Sequence, residues 1–167
     1  MFMRFYALIL SIALATPAHS ETKLPNLTVE DLNGRTLDLP SDLPGNPTIV
    51  VIAFKQNQQP VINSWAKRLD HQAQTGPAWV ELPTVGQGAA LIKSVIGNGM
   101  RSGITLTAMR ARTPTIYSNR RAFNTAMGIS DMSQIYVALV EQNVTVRTVI
   151  SGDVTKEKVD ELRTAYE

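Results

Sequence analysis

The run Thr48-Ile-Val-Val-Ile-Ala-Phe54 is apolar or β-branched at nearly every position, a pattern that fits a strand covered on both faces. Such a strand needs one layer above it and another below, which commits the chain to an α/β architecture. Alternation predicts Ile49, Val51 and Ala53 against one layer and Val50, Ile52 and Phe54 against the other, all six largely buried. The polar stretch Lys55-Gln-Asn-Gln-Gln59 follows. Pro60 then opens a helix that places Val61, Ile62, Trp65 and Leu69 on one stripe.

Met1 to Ser20 carries Arg4, no acidic residue, an apolar stretch from Phe5 to Ala15, then Pro17 and the small-residue exit Ala18-His19-Ser20. These are the marks of a cleavable secretory signal over residues 1–20, with 21–167 as a single domain delivered to the periplasm or secreted. The apolar stretch falls short of the ~20 residues a membrane-spanning helix needs; an uncleaved N-terminal anchor is the alternative. The sequence contains no cysteine, so it has no disulfide, no thiol nucleophile and no site for a lipid at the cleavage point. A domain of this size must then be held by its core alone. Without Arg4 the chain is nearly neutral, and bulk charge argues for neither a nucleic acid partner nor a membrane surface.

Residues 27–39 alternate apolar and polar positions on both sides of Asn33-Gly34, a hairpin signal. Pro40, Pro44, Gly45 and Pro47 mark a loop. A second strand is expected over 78–85, ended by Gly86 and Gly88, then a helix from Ala89 to Ile96 stopped by Gly97-Asn98-Gly99. A short helix lies between Met100 and Ala111, a short strand at Thr115 to Ser118, and a helix from Arg120 to Met127 closed by Gly128. The last third reads as strands Ile135 to Glu141 and Val144 to Ile150 about Gln142-Asn143, then a helix from Thr155 to Tyr166 with Val159 and Leu162 inward. Trp65 and Trp79 are read as packing residues.

Three stretches, LPNLTVEDLNGRTLDL, TIVVIAFKQNQQPVINSW and IYVALVEQNVTVRTVISGDVTKEKVDEL, resemble in order and spacing the thioredoxin-like superfamily in its peroxiredoxin and redoxin form. The resemblance spans residues 24–166. It implies a three-layer sandwich with a mixed central sheet and an N-terminal β-hairpin. In that superfamily the reactive cysteines sit where this chain has Gln56 to Ile62, and the helix N-terminus stabilises the thiolate. An amide cannot replace that nucleophile, so thiol redox and peroxidase activity are not carried over. The superfamily's cis-proline precedes the closing hairpin, where this chain has Asp131-Met-Ser-Gln134; Pro114 is like it locally, but a helix separates it from the hairpin. The Ser64-Trp65 step, the absent thiols and an arginine-rich middle also resemble thioredoxin-like assembly factors of ATP synthase. That second likeness implies binding or assembly without catalysis.

No Asp or Glu occurs between Glu81 and Asp131, whereas Lys93, Arg101, Arg110, Arg112, Arg120 and Arg121 all do. Such a segment is either a set of solvated side chains or a surface for an acidic partner. The candidate partner- or ligand-binding residues are Lys55, Gln56, Asn57, Gln58 and Gln59, at a helix start whose free N–H groups can meet an anion or a partner's carbonyls, together with Arg101, Arg110 and Arg112. Gln58 is expected to be a solvated loop amide. The expectation is a non-redox binding, assembly or chaperone-type module for another envelope or membrane protein, with an anionic surface or ligand as a further possibility. The alternative is an enzyme or small-ligand-binding protein in which Lys55, Gln56 and Asn57 orient an anion; its mark would be a deep pocket at the 54–60 junction with a pKa-shifted acid. His71 stands without the roughly four ligands of a zinc site. No G-x-S-x-G elbow is present, and no G-K-[ST] follows Gly97-Asn98-Gly99. No catalytic residue, metal or cofactor is assigned.

Overall fold

Alternation about Asn33-Gly34 builds an antiparallel hairpin of β1 (Leu27–Glu30) and β2 (Thr36–Leu39), with Leu27 opposite Leu39 and Glu30 opposite Thr36. The buried Asp31 carboxylate closes its turn by accepting from the backbone N–H groups of Asn33 at 2.8 Å and Arg35 at 2.9 Å. Gly34 supplies the left-handed φ of +86° within that turn. The computed structural model describes residues 22–69, 77–86, 88, 91, 93–117 and 119–167. The expected signal at 1–20, together with Asp70 and His71, lies outside the described residues.

After the hairpin come β3 (Thr48–Ala53), a 3-10 turn (Gln56–Gln58), α1 (Gln59–Arg68) and β4 (Trp79–Pro83). The chain continues with α2 (Lys93–Gly103), α3 (Thr107–Ala111), α4 (Arg120–Ala126), β5 (Tyr136–Val140), β6 (Val146–Ser151) and α5 (Lys156–Tyr166). Four strands form a mixed sheet in the order β4-β3-β5-β6. β3 is parallel to β4, pairing Ile49 with Trp79, and antiparallel to β5, pairing Ile52 with Tyr136.

Both faces of β3 are covered as its composition requires. Ile49, Val51 and Ala53 pack with Ile62, Trp65 and Leu69 from α1 and its C-terminal end, and with Val159 and Leu162 of α5. Val50 and Ile52 pack on the opposite side with Phe123 of α4, Met127, Ile129, and the hairpin residues Val29 and Leu39. These are the three layers of a thioredoxin-like sandwich with an N-terminal hairpin. Phe54 lies just beyond the strand and is half-buried rather than buried, with its ring edge against Tyr136. Trp65 is both core and tether: its ring is fully buried and its Nε1–H donates to Gly152 O at 2.9 Å.

Three sequence expectations are corrected. The helix expected to stop at Gly97 instead runs through all three glycines as α2, from Lys93 to Gly103. Glycine costs about 1 kcal/mol each in a helix, but α2 is held by contacts to the body that local propensity does not contain. The Lys93 ammonium pairs with Glu30 at 2.8 Å, and Arg101 Nε donates to Leu32 O at 2.6 Å. The strand expected at Thr115 to Ser118 is reduced to single bridges from Thr115 to Glu30 and from Ile116 to Thr84, with Ser118 outside the described residues. β6 starts at Val146 rather than Val144, because Val144 adopts a left-handed φ of +76° that breaks the extended backbone.

Burying one isoleucine of β3 contributes roughly 1.5–3 kcal/mol, and a carboxylate in its place would be unpaired in the core. Ile52→Asp is therefore expected to abolish cooperative thermal unfolding, given a total margin of about 5–15 kcal/mol for a domain. Circular dichroism melting checks this; a variant that melts like the parent would contradict the central placement of β3.

Candidate functional site

At the C-terminal end of β3 the chain leaves the sheet through Phe54 and Lys55, makes the 3-10 turn and enters α1 at Gln59 and Pro60. Four amides follow one another here, and the fold separates them. Gln56, Asn57 and Gln59 are exposed, whereas Gln58 is only 5% exposed. The Gln58 Oε1 accepts from the backbone N–H groups of Phe54 at 2.8 Å and Lys55 at 3.1 Å, while its Nε2–H donates to Met132 O at 3.2 Å. The expectation of a solvated Gln58 is corrected: its carboxamide satisfies donors at the strand exit and an acceptor of the loop before β5.

That loop completes the face. The Asp131 carboxylate accepts from Ser133 N–H at 2.8 Å and from Gln134 Nε2 at 2.9 Å. Its pKa is lowered to about 2, first by hydrogen bonds from Ser133, then by Gln134, with nearby Lys55 adding to the effect. Tyr136 O–H donates to Asp131 O at 3.0 Å from the first residue of β5. The exposed surface is therefore Lys55, Gln56, Asn57 and Gln59 beside Asp131 to Gln134, with the partly exposed Met132 side chain among them. The sequence reading did not include 131–134 in the site, although it placed the superfamily's cis-proline position there.

Beneath the start of α1 lies an acid that the sequence reading did not select. Glu81 of β4 is buried, on the same strand face as Trp79. Burial raises its pKa, and a hydrogen bond from the Gln59 side chain opposes the shift. Its signal was an acid inside the otherwise apolar strand Trp79-Val-Glu-Leu-Pro83, where alternation puts it on the α1 side.

The arginines do not gather at this face as a set. Arg101 is half-buried, with its Nε on Leu32 O and one terminal nitrogen donating to Asn98 Oδ1 at 3.2 Å. Arg110 is also half-buried: it donates to Ile104 O at 2.6 Å and Arg101 O at 2.8 Å. Arg110 thus closes the chain between α2 and α3 by capping carbonyls at the C-terminal end of α2, whereas Arg101 ties α2 to the hairpin turn. Arg112 is exposed and has its guanidinium carbon 5.9 Å from the Trp79 ring centroid. Its carbonyl accepts from Glu81 N–H at 2.8 Å, which ties Arg112 to the strand that carries the buried acid.

A cavity of about 200 Å³ lies between the hairpin turn and α2, lined by Glu30, Asp31, Lys93, Arg101 and Tyr117, where Lys93 pairs with Glu30. A second, of about 440 Å³, is lined by Ile49, Leu69, Pro77, Leu162, Arg163 and Tyr166. Neither is lined by residues 55–59. Among the described residues no cluster of three His, Asp or Glu side chains is placed to hold a metal ion.

No protein-family model and no curated protein sequence matches the chain. Solved structures match in shape. The pneumococcal exposed lipoprotein thioredoxin of Streptococcus pneumoniae superposes with a TM-score of 0.56 at 15% identity, over 85% of this chain and 98% of that one. BsSco, a member of the Sco family of cytochrome c oxidase assembly proteins, gives 0.53 at 13% identity, over 87% and 94%. StoA from Bacillus subtilis gives 0.52 at 12% identity, over 85% and 98%. The likeness establishes a thioredoxin-like fold, in a chain without cysteine.

Two outcomes follow. Gln58→Ala leaves two N–H groups and a carbonyl without their partner, so it should cost about 3 kcal/mol and lower Tm by roughly 6–12 °C, while Asn57→Ala should move it by no more than about 1 °C. Equal small shifts in the two variants would contradict the buried amide. For Glu81, a raised folded-state pKa contributes stability below the ordinary carboxylate value near 4.5, and this is lost as pH rises through the folded pKa. Glu81→Gln should therefore raise Tm by a few degrees at pH 7 and by almost nothing at pH 4; a shift independent of pH would remove the desolvation account.

Proposed function

We propose that this chain is a non-redox binding or assembly module, exported to the periplasm, that docks another envelope protein on the face formed by Lys55, Gln56, Asn57, Gln59 and the loop 131–134. The observation that carries this reading is the buried Gln58 carboxamide. It gives the end of the thioredoxin-like sheet a fixed polar surface at the place where the resemblance puts reactive thiols. The exposed amides offer donors and acceptors, and Lys55 beside Asp131 offers both charge signs, a combination suited to the polar surface of another protein. BsSco, of similar fold, belongs to a family of cytochrome c oxidase assembly proteins, which supports an assembly role on such a scaffold. Arg112 stands over Trp79, whose register partner Ile49 is at the opposite end of β3 from Lys55, and Arg101 and Arg110 are engaged in holding α2 and α3, so the three arginines are not part of the proposed face. Among the described residues no helix is long and apolar enough to cross a membrane.

Glu81 favours a second reading. A buried acid with a raised pKa, in contact with Gln59 at the helix start, can hold or release a proton next to a small polar ligand. That makes a non-thiol enzyme or small-ligand-binding protein the alternative. Thiol-disulfide or peroxidase turnover is expected in neither case, since both require a thiolate.

Photo-crosslinking in intact cells separates the readings. A photoreactive residue at Gln56 or Asn57 is expected to capture one discrete envelope protein, and the same probe at Lys67, exposed near the end of α1, should not. Identical capture patterns from all three positions, or none from any, would overturn the docking face.

A further inference from the structure

Arg101 is half-buried at the wall of the cavity of about 200 Å³ between the hairpin turn and α2, yet it makes no ion pair among the described residues. Its Nε and Nη1 donate to neutral acceptors, Leu32 O at 2.6 Å and Asn98 Oδ1 at 3.2 Å, and among the described residues Nη2 has no acceptor. The two carboxylates lining the same cavity are already committed. Glu30 holds the Lys93 ammonium at 2.8 Å, and Asp31 holds Arg35 at 3.2 Å along with two backbone N–H groups of its turn. One positive charge is therefore left over at the cavity wall, and a half-buried charge without a partner is costly.

The rest of the wall supplies hydrogen-bond donors around an open space. Burial raises the pKa of Tyr117, so its phenol keeps the proton it can donate, and the exposed Ser94 adds a hydroxyl. The Lys93 ammonium stands 5.4 Å from the Tyr117 ring centroid, which holds the ring in place. Gly97 of α2 is buried between these groups: a Cβ there would lie 3.6 Å from Tyr117 Oη and 4.0 Å from Arg101 Nη1, an ordinary contact distance. Alanine would fit and would suit the helix better, so packing does not require glycine at this position. Its effect is to keep the space between phenol and guanidinium open.

We propose that this cavity binds the carboxylate of a small organic acid, held by the Arg101 guanidinium and the Tyr117 hydroxyl over Gly97. A planar guanidinium matches a carboxylate in geometry. The single left-over charge selects a monoanion, because a dianion would bring a second negative charge against Glu30 and Asp31. The volume is below the roughly 300–1,000 Å³ of sites for drug-sized ligands, which limits the guest to a few non-hydrogen atoms. The site lies apart from residues 55–59 and 131–134 and stands independently of the docking face.

Isothermal titration calorimetry on protein purified from cells expressing the full chain tests this, with acetate, lactate and inorganic phosphate as probes. Acetate and lactate are expected to bind at one saturable site, and phosphate at least about tenfold more weakly. Tyr117→Phe, which keeps the ring beside Lys93, should weaken lactate binding about fivefold or more. Gly97→Ala should raise Tm, since alanine is the better helix former, yet abolish binding because its methyl occupies the space between Tyr117 and Arg101. A higher Tm with lost binding distinguishes a filled cavity from a damaged fold. No saturable binding of either carboxylate, lactate affinity unchanged in Gly97→Ala or in Tyr117→Phe, or phosphate binding tighter than lactate would each overturn the proposal.

Discussion

Everything else in the molecule is arranged around a strand with no solvent-facing side. Residues Thr48 to Ala53 are buried at every position and paired along both edges, parallel to β4 and antiparallel to β5. That double pairing fixes which end of the sheet α1 leaves from. The two faces then sort the remaining apolar side chains between the layer of α1 and α5 and the layer of α4 and the hairpin. With no cysteine to constrain the unfolded chain, stability depends on these two half-cores and on buried polar groups that find partners.

Gln58 is the most consequential of those polar groups. A carboxamide carries both acceptor and donor, so a single side chain can satisfy two N–H groups at the strand exit and a carbonyl across the gap before β5. No thiol could do the same work. The result is a fixed arrangement: the loop 131–134 is set against the 3-10 turn, and Lys55 stands near Asp131. Rigidity of this kind lowers the ordering cost of binding a partner.

The sheet and the major helices were legible because their periodicities are local. β3, the hairpin at Asn33-Gly34, and Val159 with Leu162 on α5 all follow from spacing two or three-to-four. α2 was not legible as a continuous helix: Gly97, Gly99 and Gly103 signal a break, and the compensating bonds from Lys93 and Arg101 go to residues more than sixty positions away in sequence. Nor could the run Gln56-Asn-Gln-Gln59 reveal which amide turns inward, because that depends on where Met132 O is placed by the closing hairpin. Arg101 and Arg110 looked like surface charge for a similar reason. Their carbonyl acceptors are set by loop geometry rather than by residue type. Glu81 was visible as an irregularity in an apolar strand, but its meaning required knowing that Gln59 lies over it.

Amide hydrogen exchange at Phe54 and Lys55 is the most direct measure of whether this face is held as a fixed surface. Neither residue belongs to a strand or helix, so protection there must come from the Gln58 carbonyl oxygen. The account predicts that both amides exchange at least about a hundredfold more slowly than that of exposed Asn57, approaching the amides of β3. Exchange of Phe54 and Lys55 at the rate of a solvated loop would contradict it.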